Sequence, residues 1–266
     1  MIKNFWLKNK QILIPIITLI GLLGLWQIYV MIAKPPKFLL PSPADILETI
    51  REFGSGWYKH MEFTISATLL GFIAAIIFGV LAAIGIIWSD TIDAAITPIL
   101  VVLQVVPKVA FAPLLFIWFG IGKHTIVIVT FLVAFFPIVV NMSLGLTQIE
   151  PELIMLTRCY HMSRFKVLMK IRLPNAIPHF FSGIKVASTL AVIGAIIGEF
   201  VGSNVGLGYL VIIANNNLNT SLAMASILII SVFGMILYYL MVVIERFCMP
   251  WEEPKPTFRK KDESIC

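Results

Sequence analysis

Phe63–Trp88 reads FTISATLLGFIAAIIFGVLAAIGIIW, twenty-six residues without one charged side chain. About 20 apolar residues in a helix cross the hydrocarbon core of a bilayer. A helix also satisfies its own backbone N–H and C=O groups where no water can. The stretch is therefore a membrane span. The same reading gives Gln11–Ile32, Ala94–Phe119, Thr125–Leu146, roughly Phe180–Val201, and Leu222–Glu245. Six transmembrane helices in an all-α polytopic membrane protein are expected, with residues 1–10 before them, a transmembrane domain over 11–250 and a tail over 251–266. Lys3, Lys8 and Lys10 precede the first run as they would a secretory signal, but the run is too long and no small-x-small site closes it before Lys34-Pro35-Pro36. It is expected to be a retained span.

The whole chain agrees. Its 266 residues are 59% hydrophobic and 13% charged, with mean hydropathy +0.95, against about 45–50% apolar and about 25% charged in soluble domains. Soluble, fibrous and disordered classes are excluded. A net charge of +6 and a pI near 9.3 would also suit nucleic acid, but the basic residues flank apolar runs rather than forming one face, so no nucleic-acid partner is expected. Placing both termini inside puts thirteen Lys and Arg residues in the cytoplasm and five outside. The reverse violates the positive-inside bias. Cys159, Cys248 and Cys266 form no CxxC pair and supply neither a disulfide framework nor metal-ligand spacing.

Several chemistries are missing from the chain. There is no GxxxxGK[ST] loop, no HExxH and no Gly-x-Ser-x-Gly, and the four histidines are scattered. Uphill movement of a solute would need an ion gradient or another subunit. Small residues recur at Gly71, Ala75, Gly79, Ala83 and at Gly194, Gly198; this spacing lets helices approach closely in lipid, and packing explains it.

Three polar islands interrupt the apolar runs. Between the fourth and fifth spans, Thr147–His179 is far longer than a turn requires. Glu150-Pro151-Glu152 suits a helix start, His161-Met162-Ser163 reads as a joint, Ser163 caps a second helix through Arg172, and Pro174 ends it by forcing Leu173 out of the α region. Two short helices at the cytoplasmic surface result. They either lay Arg164, Lys166, Lys170 and Arg172 on lipid phosphates or form a docking knob for a partner. The second island, Gln104 to Pro113, holds Pro107 and Lys108 inside the third span. Broken backbone at membrane depth is tolerated inside protein or beside a water-filled cavity, so Gln104, Pro107, Lys108 and Pro113 are candidates for a translocation path. The alternative is a tilted or re-entrant segment with Lys108 at an interface. The third island, Glu199 to Gly208, offers Glu199, Gly206 and Gly208 as gate candidates. Taken alone, Glu199 reads as snorkelling to the interface and the glycines as a turn.

In order and spacing, several motifs together resemble the permease subunits of bacterial ABC importers, and more narrowly the nitrate/sulfonate/taurine type with its relatives for thiamine-pyrimidine and riboflavin-like compounds. They are Leu40-Pro41-Ser42-Pro43, Pro107 to Leu114, Trp118 to Gly122, Phe136-Pro137-Ile138, Leu173 to Pro178, Gly183-Ile184-Lys185, Gly206 to Tyr209 and Pro250-Trp251. The resemblance implies the MetI-like importer permease fold and a transport subunit with no catalytic residues. It implies that no cofactor is bound in this chain, ATP and Mg²⁺ being held by the partner. It implies docking of cytoplasmic ABC ATPase subunits on Thr147–Pro174 through Glu152, Arg158, His161, Ser163, Arg164, Leu173 and Pro174. An extracytoplasmic solute-binding protein, a second copy of the chain and membrane lipid complete the expected partners. The family's docking signature has glycine where this chain has His161 and Glu-Ala-Ala where it has Met155-Leu156-Thr157; Ile171-Arg172-Leu173-Pro174 keeps the pattern. The expected function is plasma-membrane import of a small organic or anionic solute. A secondary transporter or channel working without an ATPase is the alternative.

Overall fold

The computed structural model describes residues 2–88 and 107–250, with positions 91, 92, 95, 98, 99 and 102 between them. Gln104, most of the first half of the span expected at Ala94–Phe119, and the tail over 251–266 lie outside the described residues. The described residues are helical throughout, with turns and no strand. The elements are α1 (Ile2–Ala33), α2 (Pro43–Phe53), α3 (Gly56–Trp88), α4 (Ala112–Phe119), α5 (Lys123–Thr147), α6 (Pro151–Cys159), α7 (Arg164–Gly202), α8 (Leu207–Asn216) and α9 (Thr220–Cys248). Four of them, α3, α5, α7 and α9, are long and apolar enough to cross a membrane. α1 covers the first expected span.

α5 is the axis of the bundle, packed along its length against α7 on one side and α3 on the other. Lipid offers no hydrophobic push between helices, so association rests on close contact. The small residues supply it. Thr130 of α5 is buried between Gly71 of α3 and Gly194 of α7: a Cβ on Gly71 would lie 2.5 Å from Thr130 Cβ, and one on Gly194 2.9 Å from Thr130 Cα. Ile138, also fully buried, sits against Gly79 in the same way. The residues read as packing features are packing features. α9 leans on α7, α8 and α2, while α1 meets the bundle mainly through α2. The outward sides of α1, α4 and α9 expose large apolar side chains, among them Leu25, Ile32, Ile117, Trp118 and Ile236.

Pro174 does not end a helix, because Leu173 stays in the α region (φ −63°, ψ −49°). Proline deletes one N–H and crowds the carbonyl four residues back; here the turn over Leu168–Arg172 widens to π geometry just before it, and Pro174 lies in the first turn of the regular helix that follows. The surface helix and the fifth span are one 39-residue helix, α7. After the turn at Gly206, α8 folds as a further short apolar helix that the span reading did not include.

α2, outside the bundle's long helices, is fixed by a capping box. Ser42 Oγ accepts from Asp45 N at 3.1 Å and the Ser42 N–H donates to Asp45 Oδ2 at 3.0 Å. Lys37 pairs with Asp45 at 2.7 Å. Hydrogen bonds from Lys37 and Ser42 hold the Asp45 carboxyl down at about 2. The contribution of that ionised group to α2 is complete above the ordinary carboxylate value and fades as pH falls towards 2.

Gly71→Ala is expected to destabilise the fold by about 1–3 kcal/mol through overpacking. Gly85→Ala, on the same helix with nothing within 4 Å of its added Cβ, is expected to be neutral or to stabilise by up to about 1 kcal/mol. Melting in detergent distinguishes them, and equal effects would contradict this packing.

Candidate functional site

The polar residues gather at the two ends of the bundle. At the end assigned to the exterior, α8 begins against α3 and α7. The first N–H groups of a helix have no partner within it, and these are buried away from water. Two side chains from other helices take them. Gly208 N donates to Glu199 Oε2 at 2.7 Å, and Leu207 N donates to Thr64 Oγ1 at 2.8 Å. The Thr64 hydroxyl in turn donates to Glu199 Oε1 at 2.7 Å. A carboxylate at a helix N-terminus also meets the positive end of its dipole.

Glu199 therefore does not snorkel. It is 1% exposed and Thr64 is fully buried. Gly206, at φ 128°, has no room for a side chain, since a Cβ there would collide with the Glu199 carboxyl. Glycine is needed for both the backbone conformation and the approach. His60 completes the latch: Gly206 N donates to its Nδ1 at 3.0 Å, and its ring stacks on Tyr209 at 6.3 Å between centroids. The structure thus brings Glu199, Gly206 and Gly208 together and adds Thr64 and His60, which sequence reasoning missed. His60 and Thr64 are one helical turn apart on α3, the only available signal. A cleft beside the latch is lined by Lys59, Glu62, Phe63, Ser66, Lys123 and Val205.

Of the second island, the described residues 107–113 supply none of the latch hydrogen bonds named above. Pro107 precedes a 3₁₀ turn over Lys108–Phe111, and Pro113 sits in the first turn of α4. The backbone is broken where the prolines said it would be. Ala112, Leu115 and Phe116 of α4 are buried. Phe116 lies directly over Gly202, close to the outer end of α7.

At the opposite end, α6 and the start of α7 project as a helical joint. The joint ends α6 by the Schellman pattern. Met162 N donates to Thr157 O and His161 N to Arg158 O, each at 3.0 Å. His161 occupies the left-handed position at φ 47°, a conformation glycine adopts without cost and other residues at roughly 1–2 kcal/mol. The turn that glycine would supply is kept with histidine in its place. Ser163 Oγ accepts from Lys166 N at 3.4 Å, as expected of a cap. Glu152, Arg158, His161, Ser163 and Arg164 are exposed, and Arg158, Arg164 and Arg172 line a cleft with Trp88 at the end of α3. Leu173 and Pro174 lie within α7 instead of ending the joint.

The joint is tied to the bundle. The last carbonyls of α5 are orphans, and α7 covers them: Arg172 donates to Leu146 O at 3.1 Å, and Asn175 Nδ2 donates to Gly145 O at 2.9 Å and Gln148 O at 2.8 Å. Asn175 was visible only as part of Leu173-Pro174-Asn175.

A bundle of spans with broken backbone on one flank, a buried latch at one mouth and a projecting helical joint at the other describes a membrane transport permease. Residues 75–248 match the family described as binding-protein-dependent transport system inner membrane component. The chain belongs to that family and is a permease subunit of the ABC-importer type. It is 33% identical to a probable ABC transporter permease protein of Haemophilus influenzae over 86% of this chain and 94% of that one. It is 31% identical to the formylaminopyrimidine transport permease protein ThiX of Halalkalibacterium halodurans (92% and 98%) and 34% to the riboflavin transport system permease protein RibX of Chloroflexus aurantiacus (89% and 89%). In structure it is similar to an inward-facing MetNI methionine ABC transporter, with a TM-score of 0.61 and 16% identity over 70% of this chain and 92% of that one. The last likeness concerns the fold.

Glu199→Ala leaves the buried Gly208 N–H without its acceptor, at about 1–3 kcal/mol. Amide exchange at Gly208, whose N–H loses its acceptor, is expected to accelerate at least about tenfold; unchanged exchange there would remove Glu199 as the latch. At the joint, His161→Gly is expected to slow exchange at the Met162 amide and to stabilise by about 1 kcal/mol, and a loss of protection would contradict the strained turn.

Proposed function

We propose that this permease imports a small organic or anionic solute, of the thiamine-pyrimidine, riboflavin-like, sulfonate or nitrate class, with the energy supplied by ATP hydrolysed in a partner. Two copies form the pathway, with lipid around them. A pair of cytoplasmic ABC ATPase subunits binds Thr147–Pro174, and an extracytoplasmic solute-binding protein delivers the solute at the latch end. Both termini lie in the cytoplasm.

The observation that carries the reading is the continuity of α7. One helix holds the exposed joint at one end, at Ser163 and Arg164, and the buried Glu199 at the other. A movement imposed on the joint reaches the outer mouth without crossing a flexible loop, and Arg172 and Asn175 carry it sideways into α5. Closure of the ATPase pair on ATP draws the joints of the two copies together and turns the pathway outward; hydrolysis resets it. The ATPase must bind the two states with different affinity, because only differential affinity shifts their balance. The substrate class rests on relatives whose names include taurine, aliphatic sulfonate and nitrate transport alongside riboflavin and formylaminopyrimidine.

Arg158→Glu combined with Arg164→Glu is expected to cut co-purification of the ATPase subunit at least about tenfold, a loss of about 1.4 kcal/mol or more, while membrane insertion is unchanged. Undiminished co-purification would contradict docking at the joint.

A further inference from the structure

One pair of charges inside the bundle has no part in the site described so far. Beyond Arg172, α7 carries a single cation, Lys185, and α9 carries a single acid, Glu245. They meet. Lys185 Nζ donates to both carboxylate oxygens of Glu245, each at 2.8 Å, and the two side chains are 24% and 20% exposed. Their surroundings are apolar, with Ile184, Leu237 and Met241 buried on the same two helices. A charge among apolar side chains is costly unless paired, so separating these two leaves each poorly solvated.

Lys185 is thirteen residues beyond Arg172 on the same helix as the joint, about 20 Å along its axis. Elsewhere the contact of α9 with α7 is made by non-directional apolar side chains, which permit sliding. The ion pair is directional and does not. We infer that Lys185 and Glu245 are positioning residues that make α9 move as one body with the helix bearing the ATPase-docking joint, an inference that rests on the importer reading above.

The test uses the full chain assembled with its ATPase subunit, with Cys159, Cys248 and Cys266 replaced by serine, spin labels at Ser182 on α7 and Tyr239 on α9, and the labelled chain diluted into unlabelled copies so that only the distance within one chain is read. With the pair intact, one narrow distance is expected with and without ATP. In Lys185→Met and in Glu245→Gln that single distance is expected to be lost when ATP is bound and kept in its absence. The exchanged double variant, Lys185→Glu with Glu245→Lys, is expected to restore it. A distance unmoved by nucleotide in both single variants overturns the inference, as does one altered equally with and without ATP, which marks a static brace. Absence of rescue in the exchanged variant also overturns it. Failure of the ATPase to assemble on the unsubstituted chain sinks the importer reading and this inference together, whereas failure of the tie alone shows with the ATPase bound.

Discussion

The fold depends on how closely three helices approach in a solvent that does nothing to push them together. Water drives soluble cores by expelling apolar surface, and lipid does not. What holds α3, α5 and α7 is contact at short range, and Thr130 shows the requirement most plainly. It lies where Gly71 and Gly194 leave no space for a side chain on either neighbour. The rest of the molecule is built on that three-helix slab: α4 and α9 pack on α7, and α2 braces α9. Because the slab is tight, polar groups carried at its ends are held in fixed register with one another.

That register is what makes the two ends chemically meaningful. At one end a carboxylate and a hydroxyl from different helices meet the unpaired amides at the start of α8. Every donor in the arrangement is satisfied only while α3, α7 and α8 keep their places, so the latch is a contact that is whole or lost. At the other end Arg172 and Asn175 do the corresponding work for the carbonyls that finish α5. Both junctions use side chains to complete a helix terminus, and both lie on α7. The proposed coupling to a separate ATPase needs such a member, continuous over its length and engaged at each end.

Much of this was legible in the residues. Apolar runs located the long helices, small-residue spacing marked the tight faces, and Pro107 and Pro113 announced the broken backbone before α4. What stayed hidden involved partners far apart in the chain or a local rule overridden by context. Glu199 alone looks like an interfacial acid; only the packing of α3 brings Thr64 to it. Pro174 should stop a helix, and does not because the preceding turn widens to π geometry. His161 should resist the left-handed turn, yet the hydrogen bonds of Met162 and His161 to the end of α6 hold it there. Lys185 and Glu245 are sixty residues apart, and neither predicts the other.

In the proposed function this chain is a pathway without its own fuel. This is tested by uptake of labelled taurine, nitrate, riboflavin and formylaminopyrimidine into proteoliposomes, with the chain alone and with its ATPase and solute-binding protein. Accumulation of at least one of these solutes is expected only in the complete assembly and only with hydrolysable ATP. Accumulation by the chain alone, in the absence of nucleotide, would contradict it.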